Sequence, residues 1–178
     1  MADLPDPLSA VATAFPSLAS RAGSGLSGLV ADMAQHRHAA GEVILSENQA
    51  HDSLYLICQG EVAIERVRGG ARSRAGTLGP GKWFGEIGFL AQGASTADVV
   101  ATQPSLILAL PQTAFHRHLD QHPALADAIL SEIIPGMSQR LRATRELVDG
   151  GDAPLTDTDA ALESLFTRGL RALFGGAK

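Results

Sequence analysis

Between His36 and Pro111 apolar side chains return at every second position, and nothing else in this 178-residue chain restricts its fold as strongly. Val43 and Leu45 keep that period, as do Leu54, Leu56 and Cys58, then Val62 and Ile64, later Val99, and finally Leu106, Leu108 and Leu110. Successive side chains of an extended strand point to opposite faces, so each run gives its strand one apolar face. Turn formers punctuate the runs. Gln59-Gly60, Gly69-Gly70 and Leu78-Gly79-Pro80-Gly81 supply the residues that tight hairpins and β-turns require. With no crossover helices between the runs, residues 36–111 read as many short antiparallel strands in a sandwich or barrel.

The flanks follow a different period. Residues 1–35 form a helical lead-in: from Leu8 to about Ala34 the chain is rich in Ala, Ser, Leu and Gly, with helices expected to break at Pro16 and at Gly23 to Gly28. Residues 112–148 are helical again, with a short helix from Gln112 to Gln121 and a longer one opened by Pro123. In that second helix Leu130, Ile134, Met137, Leu141, Thr144 and Val148 are spaced four, three, four, three, four, the seam of a coiled coil. A parallel helix pair, and hence a homodimer, is the expectation; the alternative is that the stripe packs on its own barrel. Pro135, beside Gly136, should kink the helix off the seam.

Residues 149–155 read as a linker and 156–178 as an amphipathic tail helix. Leu162, Leu165, Phe166, Leu170, Leu173 and Phe174 share one face of it. That face must be covered, by the chain's own dimer or by the groove of a protein partner; a membrane surface suits it least, with so few basic residues.

Charge and composition exclude several classes. A net charge of −5 argues against binding a phosphate backbone, so nucleic acid is not expected as a partner. No apolar run approaches membrane-spanning length and the first residues carry acids and prolines, which points to a cytoplasmic protein. The single cysteine, Cys58, lies within an apolar run and reads as a buried small hydrophobe. His36, His38, His51, His116, His118 and His122 have no metal-ligand spacing, and no nucleophile elbow or hydrolase phosphate loop occurs, so neither a metal site nor an enzyme is expected.

One segment does carry chemistry: Gly81-Lys82-Trp83-Phe84-Gly85-Glu86-Ile87-Gly88-Phe89-Leu90, followed by Ser95-Thr96-Ala97-Asp98-Val99-Val100-Ala101. Gly85 lets a ligand approach the backbone, the turn it opens presents N–H groups, and the Glu86 carboxylate can accept hydrogen bonds from sugar hydroxyls. Together with Ala40-Gly41-Glu42-Val43-Ile44, Asp52-Ser53-Leu54-Tyr55-Leu56-Ile57, Gly60 and Val62, these landmarks stand in the order seen in the cyclic-nucleotide-binding domain family of catabolite activator protein, which the chain resembles from about Phe15 to Val148. The resemblance implies a mainly β fold with flanking helices: an eight-stranded jelly-roll β-roll, a phosphate-binding-cassette-like segment at 81–101, and a dimerising helix after the barrel. It implies that Glu86 binds the ribose, that the backbone of Gly85 and Ile87 lines the phosphate pocket with Thr96 close by, and that Thr144, with Arg145 beside it, contacts the base.

One departure bears on all of this. Where nucleotide-binding members of the family carry the cassette arginine, this chain has Ser95, with Asp98 nearby. Losing one partner of a buried charge pair costs about 2–5 kcal/mol, or roughly thirtyfold to several thousandfold in affinity. A basic residue from the β-hairpin, such as Arg72 or Arg74, would have to compensate. Two functions follow: a regulatory domain sensing a small anionic ligand, such as cyclic AMP or cyclic GMP, and signalling through its dimer helix and tail; or a homodimeric interaction module with a vestigial pocket.

Overall fold

The computed structural model describes residues 5–134 apart from 69–70, 92 and 126. Three helices lead in, α1 (Pro7–Ala14), α2 (Pro16–Ala22) and α3 (Gly25–Ala31), and eight strands follow: β1 (Ala34–His38), β2 (Val43–Leu45), β3 (Ser53–Gln59), β4 (Val62–Arg68), β5 (Ala71–Leu78), β6 (Trp83–Phe84), β7 (Asp98–Ala101) and β8 (Ser105–Pro111). A short helix, α4 (Glu86–Ala91), lies between β6 and β7, and α5 (Gln112–Gln121) leaves β8. Residues 123–125 and 127–134 are helical as well. The helix starts obey local chemistry. Asp6 caps α1 by accepting the Ser9 N–H at 2.9 Å, and Pro7 and Pro16 open α1 and α2 where a missing N–H costs nothing.

The strands form two four-stranded antiparallel sheets, in the orders β1-β8-β3-β6 and β2-β7-β4-β5. This is the expected β-roll. Between the sheets lies a small apolar cluster of Leu45, Ile57, Val62, Phe84, Val99 and Ile107, with Tyr55 and Ile64 against it. The larger cluster lies outside the first sheet: Leu54, Leu56 and Cys58 of β3 and Leu106, Leu108 and Leu110 of β8 pack against Val11, Phe15, Leu18, Leu29, Phe115 and Ile129 from the helices. The period-two stripe of these two central strands thus faces the helices, and the residues between, Tyr55, Ile57 and Ile107, fill the roll. Both faces are apolar because both are covered, and each fully buried side chain of this size contributes about 1.5–3 kcal/mol.

Two sequence expectations change. The helix break at Gly23 to Gly28 is confined to Gly23 and Ser24, because α3 runs through Gly25 and Gly28. Burial of Leu26, Leu29 and Val30 outweighs the roughly 1 kcal/mol that each helical glycine costs. Second, Leu130, the first position of the expected dimer seam, is buried in the helix-covered core of its own chain, as are Leu125, Ala128, Ile129 and Ile133, while Ile134 is exposed. The remaining seam positions Met137, Leu141, Thr144 and Val148, the Pro135 kink, the linker and the tail helix with Leu162, Leu165, Phe166, Leu170, Leu173 and Phe174 lie outside the described residues.

Candidate functional site

β6 pairs Phe84 with Tyr55 of β3, and their rings stack 4.9 Å apart within 7° of parallel. That pairing fixes where the next residue stands. Gly85 turns the chain at φ +80°, and a Cβ there would lie 2.8 Å from the Tyr55 ring, so glycine is required on both counts. Glu86 then opens α4 and is buried, 5% exposed, which is unusual for a carboxylate. Ile87 packs against the helix-covered core. Gly88 leaves room for the His51 ring, which rests where a Cβ would be. His51 donates from Nδ1 to the Ser53 carbonyl at 3.0 Å in its neutral form, and burial holds its pKa below the usual histidine range.

The second half of the cassette is tied to the loop after β2. Asn48, with φ +65°, donates its N–H to the Ser95 carbonyl at 2.8 Å, and the Ser95 N–H returns 2.8 Å to the Gln49 carbonyl. Asparagine is among the few non-glycine residues that tolerate that conformation. Ser95 is buried and its hydroxyl donates to the Ala97 carbonyl at 2.7 Å. Its proton is therefore already spent on the backbone. Thr96 beside it is partly buried.

The charges distribute differently from what the sequence suggested. Val99 faces the inter-sheet cluster, so Asp98, one residue earlier, points to the opposite, outer face of its sheet. There Asp98 accepts the Glu47 N–H at 2.7 Å and meets Arg72 at 3.3 Å, while Arg72 also meets Glu65 at 3.3 Å and Arg74 meets Glu65 at 3.6 Å. The acid near the cassette is not in the roll, and neither hairpin arginine turns inward to replace the missing one. Thr144 and Arg145 lie outside the described residues. Among the described residues no group of three or more His, Cys, Asp or Glu is placed to hold a metal ion.

Residues 35–122 match the family model of the cyclic nucleotide-binding domain. They form a domain of that family. The fold is similar to that of a cyclic nucleotide-binding domain from Methylobacillus flagellatus, with a TM-score of 0.70 at 18% identity over 83% of this chain and 86% of that one. It is 28% identical over 133 residues to a cAMP-dependent protein kinase regulatory subunit from Yarrowia lipolytica, covering 68% of this chain and 34% of that one. Over 112 residues it is 32% identical to glutaminase 2 of Bradyrhizobium diazoefficiens, covering 63% of this chain. The match spans 17% of the glutaminase, so the chain corresponds to a fraction of each of these two relatives. No described helix is long and apolar enough to cross a membrane. Within the cyclic nucleotide-binding domain, Gly85, Glu86 and Ile87 stand where β6 passes into α4, and Ser95 and Thr96 stand in the segment before β7 that is bonded to Asn48 and Gln49.

Proposed function

We propose that this chain is a regulatory domain whose β-roll takes a small ligand bearing a sugar hydroxyl and an anionic group, a cyclic mononucleotide or a close relative. The observation that carries this is Glu86: a carboxylate buried at the start of α4, directly after a glycine held at φ +80°, in a chain whose roll matches the cyclic nucleotide-binding family. A buried carboxylate is expensive to keep unless it has hydrogen bonds to accept, and sugar hydroxyls would add such bonds. With Ser95 in the place of the cassette arginine, affinity for cyclic AMP is expected to be weaker than the family's arginine would give. The helix that follows α5 then relays occupancy toward the C-terminal segments.

Calorimetric titration with cyclic AMP and with cyclic GMP tests this. Saturable binding is expected with one of them, and Glu86→Ala should abolish it. Absence of any heat at millimolar concentrations of either nucleotide would overturn the reading and leave the alternative, a non-binding interaction module.

A further inference from the structure

We infer that Arg66, on β4, is the residue that grips the ligand's anionic group in place of the cassette arginine. This rests on the proposed ligand-binding role of the roll and names the residue that supplies its positive charge. Three observations converge on it.

The first is the side of the sheet. Val62 and Ile64 both pack into the inter-sheet cluster, and Arg66 is the next residue of the same parity on β4. The irregularity of the β4·β5 pairing does not disturb that parity, because the extra residue, Ala75, is on β5: Ile64 pairs with Gly76 and Glu65 with Arg74. The alternation therefore sends Arg66 inward and Glu65 outward, and Arg72 and Arg74 join Glu65 on the outer face.

The second is position along the roll. The antiparallel ladder between β4 and β7 ends at the pair Glu65 with Asp98, so Arg66 and Ala97 are the first residues beyond that end on their two chain segments. Ala97 is the residue whose carbonyl takes the Ser95 hydroxyl. Arg66 thus enters the roll beside the segment where the family's arginine would stand, from the neighbouring strand.

The third is what Arg66 lacks. Its Nε is buried and has no hydrogen-bond partner among the described residues. A buried donor without an acceptor is costly, and a planar guanidinium is suited to two oxygens of one phosphate or carboxylate. Arg72, by contrast, is engaged by two carboxylates. A ligand oxygen reaching Nε would satisfy the orphaned donor and balance the charge together.

The experiment is calorimetric titration of the full chain with cyclic AMP and cyclic GMP in four forms: unaltered, Arg66→Gln, Ser95→Arg, and both substitutions together. We expect Arg66→Gln to weaken binding about thirtyfold or more, the lower end of what an unpaired buried charge costs, and Ser95→Arg to restore it in the double variant. The melting temperature of unliganded Arg66→Gln should not fall, since its Nε has no hydrogen-bond partner among the described residues to lose. Arg66→Gln binding as tightly as the unaltered chain would overturn the assignment, and so would a large fall in its melting temperature, which would make Arg66 structural. If the unaltered chain binds neither nucleotide but Ser95→Arg does, the pocket is competent and Arg66 does not grip the anion. If neither form binds, the ligand-binding role itself has failed.

Discussion

Gly85 shows how much a single position decides. Its backbone is in the left-handed region and its missing Cβ is what keeps Tyr55 in place against Phe84, so Gly85→Ala should destabilise the fold by about 1–3 kcal/mol, read as a lower urea midpoint at unchanged slope. Cys58 makes a different kind of prediction. Burial pushes its thiol up to about 12, so the native protein should resist thiol reagents at neutral pH and react at once when unfolded in urea. Gly85, Glu86 and Ser95 were legible in the sequence because they sit in an ordered motif of several landmarks. Arg66 was not. Its signal, the continuation of the Val62, Ile64 alternation, ends in a charge, and charged residues are ordinarily assigned to the solvent side. The same alternation, counted back from Val99, would have placed Asp98 on the outer face.

Among the elements, the contact between α3 and α5 carries the clearest electrostatic consequence. Asp32, just after α3, accepts from His118 Nε2 at 2.8 Å, and Arg117 approaches its two oxygens at 3.2 and 3.1 Å. The His118 hydrogen bond first, and Arg117 after it, hold the Asp32 carboxyl below its ordinary value of 3.8, against some opposing effect of burial. A carboxyl depressed in the folded state adds stability that is complete above its unfolded pKa and disappears as pH falls through the lower folded value. Asp32→Asn should accordingly lower stability near neutral pH and flatten the acid limb of the melting curve below about pH 4. Element types followed from periodicity, since strands with one or two covered faces repeat every second residue. What periodicity could not assign was which cover each stripe faces: Leu54, Leu56 and Leu108 meet the helices, a choice set by tertiary packing. Nor could it foresee that α3 runs through Gly25 and Gly28, because propensity is a weak preference beside the burial of Leu29 and Val30.

For the molecule as a whole, the roll has two apolar cores, a helix-covered one and a smaller inter-sheet one. Leu130 belongs to the first, so the proposed dimer seam starts from Ile134 onward. Leu141→Glu is then expected to give monomers by light scattering without changing the melting temperature of the roll, and an unchanged mass would place the dimer contact elsewhere. The most direct measurement of the central claim is an amide NMR titration of the full chain with cyclic AMP and cyclic GMP. Saturable shifts are expected with one of the two, largest at Gly85, Glu86, Ile87 and the Ser95 to Ala97 segment, together with Arg66. Shifts absent from these residues at millimolar nucleotide, or found only on the outer face around Arg72 and Glu65, would contradict it.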